Sequence, residues 1–127
     1  MGWDVKDNGL KVIFSKDIPT IVRSCVRQNV EELAKGNEIG LSDMKHFVVH
    51  PGGPKVLDAY EQSLGLQNDA LRFSRKVLCE HGNMSSPTVL YVLKEFMNSK
   101  EYEPDEYGLI SALGPGFSSE LVLFKTN

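Results

Sequence analysis

Two spacings of apolar residues alternate along the chain, and each predicts a different kind of element. Residues 3–14 are divided by Asn8-Gly9, a dipeptide typical of a two-residue hairpin turn in which both positions take positive φ. Apolar side chains then recur every three or four positions over residues 18–33. This period predicts a helix whose first turn holds Pro19 and whose end is Gly36.

The middle of the chain predicts one buried strand and then three helices. The segment His46–His50 is short and apolar and is followed directly by Pro-Gly-Gly, which ends a strand. Helices are predicted over about 54–64, over about 69–81 and from Pro87 onward, with Ser86 as the N-cap of the last one. That last helix is apolar on most of its sides, which favours a buried position.

The C-terminal part of the chain returns to strands. Tyr107–Leu113 and Glu120–Phe124 are apolar strands on either side of a Gly-Pro-Gly bend. The resulting order (two strands, a helix, a strand, three helices, two strands) indicates one mixed α/β domain over residues 1–127, with a single central sheet covered by helices. Because several strands are nearly continuous apolar runs, we expect that sheet to be buried on both faces.

Composition and charge narrow the class of protein. The 127 residues are 41% hydrophobic and 24% charged, with a formal net charge of −3. These values fit one globular domain and exclude disordered and low-complexity classes. No apolar run is long enough to span a membrane, and no block of basic residues supports binding to nucleic acid.

The two cysteines are too few for a disulfide scaffold. Cys25 and Cys79 have no second cysteine or histidine at zinc-ligand spacing, so no metal site is predicted. A reduced, cytoplasmic protein is the expectation. Cys25 lies on the apolar face of the first predicted helix, and we expect it in the core. Cys79 is near the C-terminal end of a helix, which is not the end that activates a thiol.

Three glycine-rich segments lie at element boundaries and are the candidates for chemistry. His50 is followed by Pro-Gly-Gly-Pro and ends a buried strand, the position at which open α/β sheets bind ligands. Asn83, within Gly82–Ser86, lies between two helices with an amide that is free to donate. The segment Gly114–Gly116 predicts a rigid bend between two strands. Each segment alone is more typical of a turn than of a site.

Taken together, the three segments resemble a known family. They are spaced by 32 residues in each case, from His50 to Gly82 and from Gly82 to Gly114. In this order they are similar to the C-terminal half of the chalcone and stilbene synthases, the type III polyketide synthases, and the likeness extends from about Gly2 to Phe124. The resemblance implies a thiolase-like α/β fold in which two similar βαβαββ halves form five layers, αβαβα. This chain would be one of those halves.

The resemblance also implies an acyltransferase reaction. Family members use a Cys-His-Asn triad: the cysteine takes an acyl starter from its coenzyme A thioester, malonyl-CoA loses CO2, and the resulting carbanion attacks the bound acyl group. On matching positions, His50 and Asn83 are the triad histidine and asparagine. Their N–H groups would stabilise the enolate oxygen as an oxyanion hole does. The coenzyme A thioesters are substrates, and no cofactor is implied.

Further positions match the binding segments of the family. Gly52, Gly53 and Lys55 match the segment along the coenzyme A arm. The positions that match the lining of the cavity are Ser85, Gly114, Pro115 and Gly116. Val12 matches a position at which plant members carry a gatekeeping Phe, although Phe14 is close enough to leave the register open. A smaller residue there would admit a long aliphatic starter.

The chain departs from the family pattern at the nucleophile. The triad cysteine is absent, and neither Cys25 nor Cys79 aligns with it. We therefore expect an isolated C-terminal half that is inactive alone, has the N-terminal half of the same enzyme as its partner, and forms a homodimer. Two alternatives stay open: a β-ketoacyl synthase III-like condensing enzyme of fatty acid synthesis, and a non-catalytic assembly module of the same fold.

Overall fold

Five strands and five α-helices make up the part of the chain that the computed structural model describes, residues 2–13, 17–67, 69–114, 116 and 118–127. The strands are β1 Gly2–Lys6, β2 Gly9–Ile13, β3 Met44–Val49, β4 Tyr107–Leu113 and β5 Ser119–Lys125. The helices are α1 Ile18–Ile21, α2 Arg27–Gly36, α3 Pro54–Leu64, α4 Arg72–His81 and α5 Pro87–Ser99. A π-helical segment, Val22–Val26, joins α1 to α2, and a 3₁₀ turn, Leu41–Asp43, precedes β3. The predicted order of elements is confirmed.

Three of the five strands form the central sheet, in the order β3-β4-β5. β3 and β4 are parallel, and β5 is antiparallel to β4. β1 and β2 form a separate two-stranded sheet, so the prediction of a single sheet is wrong. A tight turn is enough to pair β1 with β2, whereas β3 and β4 need the long crossover through α3, α4 and α5 to run parallel.

The turn between β1 and β2 lies one residue earlier than predicted. Lys6 pairs with Gly9, so the two turn residues are Asp7-Asn8 rather than the Asn-Gly dipeptide. Of that dipeptide only Gly9 has positive φ, at 130°, and it opens β2. The observed register places Asp4 opposite Lys11, and this pair of opposite charges favours it.

α1, the π-helical segment and α2 form one continuous helical stretch, as the apolar period predicted. Val22, Val26 and Val30 are buried in the core beside α3. Cys25 is exposed, so its predicted core position is wrong. Because a π-helical turn is wider than an α-helical turn, residues four apart stay on the buried face there, and Cys25, three residues after Val22, leaves it.

Helices cover both faces of the sheet, and the alternation of side chains along β3 assigns each residue to one face. Phe47 and Val49 belong to the larger cluster, which includes residues of the α1–α2 stretch and α3. Val48 packs on the other face with Val77 of α4 and Phe96 of α5. β3 is therefore buried on both faces, as predicted.

The edge strand β5 and helix α5 are more exposed than predicted. Val122 of β5 is 55% exposed. Helix α5 buries Val92 and Phe96 but leaves Leu90 and Met97 63% and 56% exposed. Within the described residues the apolar outer side of α5 is uncovered, so an apolar pattern on most sides did not make this helix fully buried.

Helix bounds follow glycine and proline signals where these exist. α3 runs from Pro54 to Leu64, as predicted, and Gly65 ends it with φ of 64°. α4 ends before glycine as predicted, but it begins at Arg72 rather than near residue 69. The backbone N–H of Arg72 donates to the carbonyl of Asp69, so the residues before α4 form a turn.

Candidate active site

The carboxyl ends of two parallel strands bring the first and third glycine-rich segments to one edge of the sheet. β3 and β4 remain paired up to Val49 and Ser111. His50 follows β3 directly, and Gly114 follows β4. His50 therefore lies at a strand end, as predicted, on the edge at which α/β sheets bind ligands.

His50 is half-buried and its backbone is fixed by two hydrogen bonds. Its N–H donates to the carbonyl of Ser111 at 2.8 Å, and its own carbonyl accepts from the N–H of Gly52 at 3.0 Å. Burial lowers the pKa of His50 below its ordinary value of 6.5, because desolvation disfavours the charged ring. At neutral pH the imidazole is therefore neutral, with one N–H that can donate and one nitrogen that can accept.

The Pro-Gly-Gly loop that follows β3 leads straight into α3. Gly53 is the N-cap of α3, and its carbonyl accepts from the N–H of Val56 at 3.1 Å. A Cβ on Gly52 would make only ordinary contact with Val56 at 3.7 Å, and a Cβ on Gly53 would meet nothing within 4 Å. Packing within the described chain therefore requires neither glycine. Lys55, in the first turn of α3, is exposed.

Asn83 lies beside the loop that follows His50. Its Nδ2 donates to the carbonyl of Gly52 at 3.3 Å, and its Oδ1 accepts from the N–H of Ser85 at 2.9 Å. The amide, which we expected to be free to donate, thus uses one of its two N–H groups within the chain. Gly82, with φ of 71°, ends α4 just before it. The fold therefore joins the second glycine-rich segment to the first.

Thr88 fixes the turn that carries Asn83, and sequence reasoning missed it. The Thr88 Oγ1 accepts from the N–H of Met84 at 2.8 Å and donates to the carbonyl of Ser85 at 2.7 Å. The predicted N-cap, Ser86, makes no side-chain capping bond because its own backbone is already helical. Thr88 is fully buried. A hydroxyl in the first turn of an apolar helix is the signal that could have identified it.

The other predicted positions differ in how far the structure describes them. The N–H of Gly114 donates to the carbonyl of Ser118 at 2.8 Å, and a Cβ on Gly114 would lie 2.7 Å from the Ser118 Oγ. A side chain on Gly114 would therefore require the Ser118 hydroxyl to move. Gly116 has φ of 74°.

Three predicted positions cannot be compared with the structure. Outside the described residues lie Pro115, Phe14 and the side chain of Val12. The gatekeeper hypothesis stays a prediction.

Both cysteines are exposed, and no hydrogen bond among the described residues joins either of them to His50. The Sγ of Cys25 lies 3.4 Å from the Ser24 hydroxyl. Cys79 lines an open pocket of about 320 Å³ together with Pro54 and two residues of α4. Within the described ranges, no three Cys, His, Asp or Glu side chains are placed to hold a metal ion, and no helix is long and apolar enough to cross a membrane.

The mixed sheet with helices on both faces is that of a thiolase-like α/β domain, and comparison with known proteins gives the family. The family model described as chalcone and stilbene synthases, C-terminal domain, matches residues 2–127. The chain belongs to this family. The resemblance predicted from the three glycine-rich segments is thus confirmed.

Known relatives match nearly the whole chain but extend well beyond it. A protein of Bacillus subtilis (strain 168) with the provisional name chalcone synthase is 50% identical over 125 residues, which are 98% of this chain and 34% of that protein. The crystal structure of 1,3,6,8-tetrahydroxynaphthalene synthase from Streptomyces coelicolor A3(2), a bacterial type III polyketide synthase, has a TM-score of 0.91 and 31% identity. It is matched over 99% of this chain and 36% of its own length.

A structure with a ligand is also among the similar proteins. CsyB complexed with CoA-SH has a TM-score of 0.87 and 26% identity, over 99% of this chain and 36% of CsyB. The predicted thiolase-like fold is confirmed by these likenesses. The chain spans about a third of the length of the relatives it matches.

Proposed function

We propose that this chain is the part of a type III polyketide synthase that supplies the histidine and the asparagine of a Cys-His-Asn site. The enzyme condenses an acyl-CoA starter with malonyl-CoA. The observation that carries the proposal is the hydrogen bond from Asn83 to Gly52, which holds the asparagine beside the loop of His50. Membership of the chalcone and stilbene synthase family supports this class of reaction.

The proposed reaction has three steps. A cysteine thiolate attacks the thioester carbonyl of the starter, and the C–S bond to coenzyme A breaks, so that coenzyme A leaves as a thiolate and takes up a proton. Malonyl-CoA then loses CO2, and the electron pair of the broken C–C bond forms an enolate. The enolate carbon attacks the enzyme-bound acyl carbonyl, and the cysteine leaves as a thiolate. The product is a β-ketoacyl-CoA extended by one acetyl unit.

His50 and Asn83 stabilise the enolate oxygen in this reaction. The neutral imidazole of His50 donates from one ring nitrogen, and the Nδ2 group of Asn83 has a second N–H beside the one bonded to Gly52. Donors aimed at an oxygen that gains negative charge stabilise the transition state more than the ground state. The amide keeps its donors at every pH, and burial lowers the pKa of His50 so that the ring stays neutral.

The acyl-accepting cysteine comes from outside these 127 residues. Cys25 lies within a continuous helical stretch and Cys79 near the end of α4, so neither occupies a helix N-terminus, which would stabilise a thiolate. We propose that the N-terminal half of the same enzyme supplies the cysteine and that the enzyme is a homodimer. Exposed free thiols fit the reducing conditions of the cytoplasm.

The loop after His50, in which Gly52 is exposed, is the proposed path of the coenzyme A arm. The chain's own packing requires neither Gly52 nor Gly53, and a residue without a side chain lets a ligand approach the backbone closely. Lys55 offers an exposed ammonium group to a phosphate. The residues proposed to shape the cavity for the growing chain are Ser85, Gly114, Pro115, Gly116 and Val12.

Removal of each donor in the intact enzyme tests the proposal. We expect His50→Ala and Asn83→Ala each to lower kcat for malonyl-CoA decarboxylation by about 100- to 1000-fold, since each removes one oxyanion donor. The KM for malonyl-CoA changes little, because the lost interaction forms in the transition state. His81→Ala, at an exposed histidine of α4, is the matched control and leaves kcat unchanged. A kcat near that of the parent enzyme in both donor variants would overturn the proposal.

A further inference from the structure

The peptide group between Val49 and His50 is hydrogen-bonded on both sides by buried serines. Its carbonyl accepts from the Ser74 Oγ at 2.7 Å, and its N–H donates to the carbonyl of Ser111 at 2.8 Å. Both serines are fully buried. Because the C=O and N–H of a trans peptide point in opposite directions, these two bonds hold the peptide from opposite edges of β3.

Ser111 is itself held by a third buried hydroxyl. Its Oγ lies 2.8 Å from the Tyr60 hydroxyl, and Tyr60 is only 1% exposed. Burial raises the pKa of Tyr60 to about 12, so the phenol keeps its proton. Tyr60 lies on α3, the helix that begins directly after the glycine loop of His50. The Tyr60–Ser111 bond therefore ties the strand beside the start of that loop to the helix at its end.

Ser74 connects the same peptide to the helix that leads to Asn83. Among the described residues, β4 is the one strand paired with β3, so the outer edge of β3 has no strand neighbour. Ser74 of α4 bonds to the Val49 carbonyl at that edge. α4 ends at His81, two residues before Asn83. One hydroxyl thus couples the strand that carries the histidine to the helix that precedes the asparagine.

The hydroxyls of Ser111 and Tyr60 lie in apolar surroundings. β4 is otherwise apolar around Ser111, and Tyr60 is surrounded by the larger apolar cluster. A buried hydroxyl contributes only when it is bonded, and an unbonded partner is destabilising. The Ser74 hydroxyl nevertheless bonds to this peptide directly, and the Tyr60 hydroxyl holds the side chain of Ser111, whose main-chain carbonyl accepts from the His50 N–H.

We propose that Ser74, Ser111 and Tyr60 are positioning residues that hold the imidazole of His50 at a set distance from the Asn83 amide. Ser74 bonds to the Val49–His50 peptide directly, and the Tyr60–Ser111 bond fixes the strand residue whose main-chain carbonyl accepts from the His50 N–H. The inference rests on the proposed function of His50. Reacting groups must be placed closely, since a displacement of about 1 Å can lower a rate by about 100-fold. None of the three hydroxyls touches the reacting atoms, and their effect passes through the backbone of His50.

Amide hydrogen exchange at His50 directly tests whether these residues fix the Val49–His50 peptide. It is measured in the intact protein and does not depend on activity. Tyr60→Phe removes the bond to the Ser111 Oγ and leaves the bond from the His50 N–H to the Ser111 main-chain carbonyl in place. We expect the His50 amide to exchange about three to ten times faster, because loss of the Tyr60–Ser111 bond makes local opening at Ser111 easier. Amides of the β4–β5 pair keep their rates. Ser63→Ala is the matched control, because Ser63 is on the same helix and its buried hydroxyl has no partner among the described residues.

A double variant keeps the test valid if Tyr60→Phe folds poorly. Tyr60→Phe with Ser111→Ala removes both hydroxyls and leaves neither unpaired, so we expect it to fold and still to show faster exchange at His50. Exchange at His50 equal to that of Ser63→Ala, or faster exchange spread evenly over the sheet, would overturn the proposal.

Kinetics of the same variants distinguish the positioning role of these residues from the catalytic role of His50. If these residues position His50 and His50 stabilises the enolate, the double variant lowers kcat for malonyl-CoA decarboxylation and leaves KM unchanged. Faster exchange at His50 with an unchanged kcat would overturn the positioning role of these residues. The catalytic role of His50 is tested separately by His50→Ala.

Discussion

At the scale of single residues, Gly108 shows how a neighbouring strand determines an amino acid. Gly108 of β4 pairs with Phe124 of β5, and the aromatic ring lies over its Cα. A Cβ at this position would overlap three atoms of the ring. The ring also contacts Phe96 at a centroid distance of 5.6 Å, so the core limits its movement.

Gly108→Ala is therefore expected to destabilise the protein. The added methyl group forces the Phe124 ring out of place, which lowers the free energy of unfolding by about 1–3 kcal/mol. Urea unfolding measures the change. Gly36→Ala is the matched control: its Cβ meets nothing within 4 Å, and alanine favours the helix by up to about 1 kcal/mol. Equal unfolding free energies for the two variants would contradict this account.

Some of the residues important for the site and the fold could be predicted from the sequence, and others could not. His50 and Asn83 could be found because glycine and proline mark their turns along the chain. The requirement at Gly108 and the bond from Tyr60 to Ser111 could not, since the partners are far apart along the chain, by 51 residues in the second case. Such pairs exist only once the sheet and α3 are packed.

At the scale of elements, one carboxylate joins β3 to β4 at the edge opposite the candidate site. Glu106, which precedes β4, is bonded to the Lys45 Nζ and the His46 Nε2, each at 2.7 Å, and accepts from the N–H of Glu103 at 3.0 Å. The bond from Lys45 contributes most, followed by those from His46 and Glu103, and together they lower the pKa of Glu106 to about 2.

This carboxylate predicts a pH dependence of stability. Because the pKa of Glu106 in the folded state is below its ordinary 4.5, its stabilisation is fully present above about pH 4.5 and is lost as the pH falls toward about 2. Glu106→Gln is expected to reduce the fall in unfolding free energy over that range. Glu120→Gln, at an exposed residue of β5, should follow the parent protein. Identical slopes for Glu106→Gln and the parent would contradict the assignment.

Element bounds were predictable where one residue fixes the backbone. Pro54 and Gly65 give α3 its limits, and glycine ends α4. The prediction was wrong where the pairing of two strands determines the position of a turn. In the β1–β2 hairpin the observed register places Asp4 opposite Lys11. The exposure of Cys25 depends on a π-helical segment, which the spacing of apolar residues did not distinguish from an α-helix.

At the scale of the whole molecule, two apolar faces are open among the described residues. On one face of the β1–β2 hairpin, Trp3, Val5 and Leu10 are 58%, 79% and 67% exposed. Helix α5 exposes Leu90 and Met97. Apolar patches of this kind are typical of contacts with another chain or domain. They support the proposal that a cysteine-bearing half packs against this one.

The central claim is that this chain contributes His50 and Asn83 to a shared site and does not contribute the acyl-accepting cysteine. The most direct test is the intact mass of the 127-residue chain after incubation with a fatty acyl-CoA, with Cys25→Ser and Cys79→Ser variants as controls. The account predicts no gain in mass, and acylation of the cysteine-bearing half once that half is added. A one-to-one acyl adduct on Cys25 or Cys79, lost in the matching serine variant, would contradict it.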